Sequence, residues 1–259
     1  MKLKYIDIHS HLQFPQFDKD REEVLACMKK NGVGAIVVGT DWSSSKKAVE
    51  LAEAHENLWA SVGLHPNDNT KEIFNFDAYK KLAENKKVIA IGECGLDYFR
   101  CKKGQGEKER QEVLFKSHIR LAVQTNLPLM LHIRDAYCDA IEILKESKKI
   151  HGDKLRGNVH FFAGNQNIAR SFFKLGFSIS FTGVITFAKD YDDAIKSAPI
   201  DMLMAETDAP YVAPLPHRGK RCEPIYVREV VRKIAEIRGE EAEKVRTRFI
   251  DNFKSQFNI

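Results

Sequence analysis

Membrane-spanning and secretory segments are missing from this sequence. No run approaches the roughly 18 consecutive apolar residues that suggest a transmembrane helix. Residues 1–4 lead directly into a short apolar segment, without the apolar core and cleavage site of a signal peptide. These absences argue against a membrane protein and predict a chain that stays in the cytoplasm.

Cysteine is scarce, and no cysteines are spaced as a Cys-x-x-Cys pair. The five cysteines are scattered and odd in number: Cys27, Cys94, Cys101, Cys138 and Cys222. This pattern argues against a disulfide framework or a zinc knuckle and favours a reducing compartment. The excess of positive charge is also small. A formal net charge of +5 permits an anionic substrate without requiring one.

Low-complexity segments and internal repeats are absent as well, and short apolar runs alternate with longer amphipathic stretches. The apolar runs are nearly continuous, which is typical of parallel strands buried on both faces. Predicted strands cover residues 5–8, 35–39, 59–63, 88–92, 127–132, 158–162, 177–181 and 202–205. Predicted helices cover residues 20–30, 44–55, 76–85, 107–125, 136–148, 167–175, 191–197, 229–237 and 240–253.

Eight strands, each followed by a helix, predict an α/β fold of the (β/α)8 TIM-barrel type. A barrel of this type usually takes about 250 residues, so residues 1–259 are predicted to form a single domain. A doubly wound open sheet is the alternative. It would need a glycine-rich phosphate turn after the first strand, where this chain has His9-Ser-His-Leu instead.

Two histidines end the first predicted strand. His9 and His11 are two positions apart, and such residues on an extended strand point to the same face. Neutral imidazole is the most common metal ligand in proteins. Alone, however, the pair is as compatible with an incidental arrangement as with half of a metal site.

Other predicted strands also end in residues able to bind a metal. In a barrel, the carboxyl ends of all strands surround one site. The residues found there are His9, His11, His65, Glu93, Asp97, His132, Arg134, His160, Glu206 and Asp208. Strands two and seven contribute Asp41 and Thr182, which we leave unassigned.

Each of these residues also has an ordinary structural explanation. His132 and His160 resemble core histidines bonded to a carbonyl, and Asp208 precedes Ala-Pro, where it could cap a turn. Glu93 follows Ile-Ala-Ile-Gly, and a buried carboxylate there needs a cation or several donors. Taken together, four histidines and two carboxylates at strand ends predict a metal site.

Six ligands exceed what one tetrahedral ion requires. Four histidines with two carboxylates suit two divalent ions, and Glu93 is the natural bridge between them. Carboxylates favour Mg²⁺ or Mn²⁺ while imidazoles favour Zn²⁺, so the sequence leaves the metal open among these three.

Several segments resemble the TatD-related deoxyribonucleases, metal-dependent hydrolases on a TIM barrel. The segments are Asp7-Ile-His-Ser-His, Val62-Gly-Leu-His-Pro, Ile91-Gly-Glu-Cys-Gly-Leu-Asp-Tyr, His132-Ile-Arg, Glu206-Thr-Asp-Ala-Pro-Tyr and Pro216-His-Arg-Gly-Lys-Arg. Two positions depart from the family pattern. Phe161-Phe-Ala-Gly stands where Cys-Phe-Ser/Thr-Gly is common, and Cys222 stands where Asn is common.

The resemblance implies a specific two-ion site and an activity. One ion would be held by His9, His11, Glu93 and Asp208, and the other by Glu93, His132 and His160. The implied reaction is cleavage of DNA, often as an exonuclease, which predicts a single strand or a strand end as substrate.

Phosphodiester hydrolysis by metal-activated water is therefore the leading hypothesis, with Glu93 and Asp208 as catalytic residues and Asp208 as general base. The residues predicted to meet the phosphates are His65, Arg134, Arg218, Lys220 and Arg221. Three of them lie in the long irregular segment 209–224, and loops of that length are usually functional. Lys102 and Lys103 are interpreted as solvated surface residues.

Two other classes of function stay open at this stage. The same metal chemistry supports hydrolysis of a small amide, lactone or phosphoester, although the cationic loop favours a polyanion. A binding module on a catalytically dead barrel is the third possibility, and the complete set of ligands argues against it. The sequence does not predict an oligomeric state.

Overall fold

Eight parallel strands form one sheet in the order in which they occur along the chain. The computed structural model describes residues 2–99 and 106–259, so Cys101, Lys102 and Lys103 lie outside the described residues. The strands are β1 (Tyr5–Ser10), β2 (Val33–Val38), β3 (Leu58–Val62), β4 (Val88–Asp97), β5 (Leu129–Arg134), β6 (Gly157–Val159), β7 (Phe177–Phe181) and β8 (Leu203–Ala205).

Backbone contacts between β1 and the segment after β8 complete the barrel. The N–H of Asp208 donates to the carbonyl of His9 (2.9 Å), and the N–H of His11 donates to the carbonyl of Ala209 (2.7 Å). An isolated parallel bridge pairs Ser10 with Ala209. The predicted (β/α)8 TIM barrel is thus confirmed.

Within residues 2–99 and 106–259, a helix follows each strand, and a ninth helix lies after the eighth. The helices are α1 (Arg21–Asn31), α2 (Trp42–Ala54), α3 (Phe76–Leu82), α4 (Glu107–Thr125), α5 (Tyr137–His151), α6 (Gln166–Lys174), α7 (Asp192–Ser197), α8 (Val227–Arg238) and α9 (Ala242–Phe257). Within the described residues, no helix combines the length and apolarity needed to cross a membrane.

Two apolar cores lie on the two faces of the sheet. The larger one joins alternate strand residues, such as Val37 and Leu131, to the surrounding helices. The smaller one contains the intervening strand residues, such as Ile36 and Met130, and therefore fills the barrel interior. Phe253 of α9 belongs to this inner core, so α9 closes the end of the barrel opposite the predicted site.

Strand β4 runs further than its apolar pattern predicts, to Asp97 rather than Gly92. Glu93 therefore lies within the strand, where the pairing with β5 is irregular between Ile91 and Cys94. Gly92 permits this irregularity because a Cβ atom there would lie 2.3 Å from the carbonyl oxygen of Met130. The irregular pairing departs from the simple alternation of side chains that a regular strand would show.

Candidate metal centre

The seam between β1 and β8 positions the first ligands. The buried carboxylate of Asp7 accepts hydrogen bonds from the N–H of His9 (3.2 Å) and of Thr207 (2.9 Å), which ties the two strand ends together. Asp208 has a φ of 57°, in the left-handed region that is uncommon for residues other than glycine. Conformations of this kind are held by the surrounding structure and cluster at functional sites.

Glu93 lies between two pairs of histidines and offers a different oxygen to each. Its Oε2 is 3.4 Å from His9 Nε2 and 3.7 Å from His11 Nε2. Its Oε1 is 3.0 Å from His132 Nδ1 and 2.9 Å from His160 Nε2. We refer to His9 and His11 as the β1 pair, and to His132 and His160 as the β5–β6 pair.

Asp208 completes the group around the β1 pair. Its Oδ1 lies 3.4 Å from His11 Nε2 and 3.8 Å from His9 Nε2. The six predicted ligands therefore meet in one place, although they are separated by up to about 200 positions in sequence.

Two further carboxylates contact the β5–β6 pair at the ring nitrogens that do not face Glu93. Asp97 Oδ2 is 3.3 Å from His132 Nε2, and Glu206 Oε1 is 3.3 Å from His160 Nδ1. Glu206 is fully buried and accepts hydrogen bonds from Ser180 Oγ (2.6 Å) and the N–H of Phe161 (2.7 Å). Such outer carboxylates fix the orientation of a ligating imidazole and raise its basicity.

Contacts between the carboxylates and the histidines of the centre shift the pKa values of both. Burial alone would raise the pKa of Glu93, but electrostatic attraction to His160 and a hydrogen bond with His132 hold that pKa well below its ordinary value. Burial likewise lowers the pKa of His160, yet Glu93 and Glu206 raise it well above the ordinary value of a histidine. The centre thus requires positive charge next to Glu93.

The donor set fits a pair of divalent ions. Within residues 2–99 and 106–259, the ion-pair partners of Glu93 are all histidines, with no lysine or arginine among them. A buried carboxylate without such a partner needs either protonated histidines or metal ions as counter-charge. Donor atoms of His9, His11 and Glu93 lie within 4.8 Å of one another, as do those of Glu93, His132 and His160.

All six donors except His9 line a cavity of about 550 Å³. Aromatic rings form part of its wall: Phe14, Phe161, Tyr191 and Tyr211. Ala163, at the first departure from the family pattern, also lines the cavity, and its N–H donates to the hydroxyl of Tyr137 (2.9 Å). The volume is that of a site for a small ligand or for one part of a longer one.

His65 and Arg134 are predicted phosphate contacts that do line the cavity. His65 Nε2 is 3.7 Å from Glu93 Oε1, so this ring belongs to the donor cluster itself. It also forms, with Asp97 and His132, a third group whose donor atoms lie within 4.8 Å of one another. Arg134 is exposed and lies over the ring of Phe99 at 3.7 Å.

The predicted phosphate contacts of the segment 209–224 differ in their surroundings. Arg218 and Lys220 are exposed, and Arg218 lies over the ring of Phe187. Arg221 instead pairs with Asp20 (2.7 Å) and Glu223 (3.1 Å). None of the three lines the cavity among the described residues.

The sequence places Asp97 and Glu206 at strand ends but indicates no role for either. Only their positions at strand ends could have identified them, because contact with the outer nitrogen of a histidine ring leaves no pattern in the sequence. Asp41 and Thr182, left unassigned, cap the helical segments that follow them, and Asp41 forms a capping box with Ser44. His118, on α4, is buried and bonded to backbone, with burial lowering its pKa to about 4.

The family model described as TatD related DNase matches residues 6–258. The chain belongs to this family. An uncharacterized metal-dependent hydrolase of Bacillus subtilis (strain 168), YabD, is 38% identical over 257 residues, which cover 98% of each chain. The 3'-5' ssDNA/RNA exonuclease TatD of Escherichia coli (strain K12) is 33% identical over 263 residues, again covering 98% of each chain.

A solved structure of the family resembles this one over its whole length. The TatD homologue YJJV of Escherichia coli K12 superimposes with a TM-score of 0.90 at 30% identity, and the match covers 100% of both chains. Both sequence and fold therefore place the chain among the TatD relatives.

Proposed function

We propose that this protein is a metal-dependent deoxyribonuclease that hydrolyses DNA phosphodiester bonds with two divalent ions, acting as an exonuclease on a single strand or a strand end. The observation that carries the proposal is the position of Glu93. Each of its oxygens faces a separate histidine pair, which is the arrangement expected of a carboxylate that bridges two ions.

The ligands divide between the two ions along the lines of these contacts. His9, His11, Glu93 and Asp208 would hold one ion, and Glu93, His132 and His160 the other. Divalent ions held there would polarise a phosphoryl oxygen and make a bound water more acidic. The donor types allow Mg²⁺, Mn²⁺ or Zn²⁺.

Asp208 is the proposed general base. Its carboxylate lines the cavity and Asp208 is 9% exposed, so a water in the cavity can reach it, whereas Glu93 is only 4% exposed and faces five histidines. Asp208 would take the proton of the attacking water as the oxygen bonds to phosphorus and the 3' or 5' oxygen leaves. Its backbone bond to His9 keeps the carboxylate beside the β1 pair.

The remaining predicted residues would hold the phosphates of the substrate. His65 and Arg134 line the cavity and suit the phosphates near the scissile bond. Arg218 and Lys220, exposed on the loop after β8, suit phosphates further along the strand. A phosphate contact by Arg221 stays a prediction, and its pairing with Asp20 and Glu223 also suits an anchor for the loop.

The relatives support the nucleic-acid part of the proposal. The family is described as TatD related DNase, and the Escherichia coli relative is named as a 3'-5' ssDNA/RNA exonuclease. The cytoplasmic location and the single domain over residues 1–259 stay predictions from the sequence.

Elemental analysis combined with reconstitution tests the proposal. Purified protein should bind two divalent ions per chain, and chelation should abolish cleavage of end-labelled single-stranded DNA. Circular dichroism should change little, because the barrel has its own core and the ligands lie at strand ends. Addition of Mg²⁺, Mn²⁺ or Zn²⁺ separately should restore cleavage and identify the metal that supports the highest turnover.

A panel of small substrates separates the rival functions. Hydrolysis of an amide, lactone or small phosphoester without cleavage of DNA would favour the small-molecule alternative. Undiminished cleavage of DNA by metal-free protein would contradict the two-ion reaction. A protein that binds no metal and turns over nothing would be a binding module.

A further inference from the structure

Phe99 is a large exposed apolar side chain in contact with Arg134, a residue that lines the cavity. It follows β4 by two residues and is 60% exposed. Most apolar side chains of comparable size in this protein are buried in the two cores. An exposed aromatic residue beside a functional cavity requires an explanation, since contacts of this kind commonly mark binding surfaces.

Arg134 holds one face of this ring. Its guanidinium lies 3.7 Å from the ring centroid, and the same arginine lines the catalytic cavity. The position of the pair is fixed by the sheet, because Asp97 pairs with Arg134 and the N–H of Tyr98 donates to the carbonyl of Arg134 (2.9 Å). The exposed part of the ring is therefore its opposite face and its edges.

The chemistry of the pair suits one kind of ligand. An open aromatic face stacks on the flat face of a nucleobase, and a guanidinium binds a phosphate oxygen. Within the described chain, Arg134 has no carboxylate in ion-pair distance, in contrast to Arg221. Its charge is thus available to an anion in the cavity.

We propose that the ring of Phe99, backed by Arg134, is a stacking platform for an unpaired nucleobase next to the scissile phosphate. The proposal rests on the proposed nuclease function and adds a determinant of substrate form. A base in duplex DNA already stacks on its neighbours, so only an unpaired base can offer its face to Phe99. The platform would therefore favour a single strand over a duplex.

A double-mutant cycle tests the platform, in which one change is a substitution at Phe99 and the other is removal of a base from the substrate. The substrates are a thymidine oligonucleotide, the same strand with one abasic nucleotide moved along it, and a fully abasic strand with the same phosphates. Phe99→Ala should lower kcat/KM for the intact strand by about five- to tenfold, the lower part of the range for loss of one stacked base. It should leave the fully abasic strand unchanged, because that strand has no base to stack.

The effects of base removal and of Phe99→Ala on kcat/KM should be non-additive when the missing base is at one or two adjacent nucleotides. At all other nucleotides the two effects should be additive. Phe99→Trp should retain the activity of the wild type, while Phe99→Leu, which keeps an apolar side chain without a flat face, should behave like Phe99→Ala. Val113→Ala is the matched control, since Val113 is 67% exposed on α4 and does not line the cavity.

A fluorescence measurement gives a readout separate from turnover. 2-Aminopurine at the coupled nucleotide should be quenched on binding to the wild type and to Phe99→Trp, and less so on binding to Phe99→Leu. Additive effects at every nucleotide, or equal activity of the Leu and Trp variants, would overturn the platform while leaving the nuclease proposal intact. Failure of the wild type to cleave any strand would instead overturn the proposed function.

Discussion

The two histidine pairs of the metal centre contact Glu93 through different oxygens, and the protein supports them differently. The β1 pair is joined by a carboxylate inside the cavity, because Asp208 Oδ1 lies 3.4 Å from His11 Nε2. The β5–β6 pair has additional carboxylates at the ring nitrogens that do not face Glu93, with Asp97 3.3 Å from His132 and Glu206 3.3 Å from His160.

This difference suggests that the two sides of the centre have different roles, one in proton transfer and the other in holding an ion in place. A carboxylate that is open to the cavity can exchange a proton with water, and Asp208 occupies that position beside the β1 pair. A carboxylate bonded to the outer nitrogen of a ring orients that ring and strengthens it as a ligand. Glu206 does not line the cavity, and Asp97 lines it but is only 1% exposed, against 9% for Asp208. We therefore expect the β1 side to carry the reaction and the β5–β6 side to hold its ion with a fixed geometry.

Glu93→Gln should have the largest effect because it changes both sides together. The amide keeps the size of the side chain but loses the negative charge that screens two cations from each other, whose repulsion is large even at an effective dielectric of about 20. We expect at most one tightly bound ion and a fall in kcat of roughly three orders of magnitude, the scale of metal-ion catalysis. Elemental analysis and steady-state kinetics measure these outcomes.

An unchanged melting temperature would show that the Glu93→Gln protein is folded. Two bound ions with turnover near that of the wild type would remove Glu93 from the bridging position.

Asp208→Asn should break the β1 side alone. Loss of a general base lowers kcat by about 10²- to 10⁴-fold, and the ion of the β5–β6 side should stay bound because none of its ligands has changed. Metal titration followed by calorimetry should find one tight site. Loss of both ions from Asp208→Asn would contradict the separation of the two sides.

Glu206→Gln and Asp97→Asn should weaken the β5–β6 side alone. Loss of an outer carboxylate costs about 10- to 100-fold in metal affinity or activity. We expect the weaker of the two stepwise metal affinities to fall, and the affinity for substrate to change little. Asp41→Asn is the matched control, because Asp41 caps α2 at the same end of the barrel, and Asn also caps helices well. Equal effects of all three substitutions would argue against a specific role for the outer carboxylates.

Arg218→Ala and Arg221→Ala should have the smallest effects and should differ in kind. Arg218 has no acidic partner in the described chain. Its replacement should raise the KM for oligonucleotide and reduce the salt slope of binding by about one. Arg221 pairs with Asp20 and Glu223, so its replacement should lower the melting temperature more than the salt slope. Binding at several salt concentrations and thermal melts of both variants measure the difference.

A larger loss of salt slope in Arg221→Ala than in Arg218→Ala would show that Arg221 releases its acidic partners to bind phosphate. Arg221 would then be a phosphate contact like Arg218, as the sequence predicts.

The barrel was predictable from the sequence because the pattern that specifies it is local and repeated. Eight apolar runs with intervening amphipathic segments predict eight strands and their helices, and α4 begins and ends at its predicted residues. The prediction was weaker for β4 and β6. β4 continues through Glu93 to Asp97, and β6 ends at Val159, because irregular pairing and short ladders leave little trace in apolar periodicity.

The residues available to the site follow from the sequence alone, because a barrel brings every strand end to one rim. The resemblance to the TatD-related family narrows these residues to His9, His11, Glu93, His132, His160 and Asp208, and the structure brings the six together. The folded barrel is needed to show how Glu93 divides its oxygens, which carboxylates contact the outer ring nitrogens, and why Arg218 and Arg221 differ. These features depend on the directions of side chains that meet only when the barrel closes, and no local pattern of residues specifies those directions.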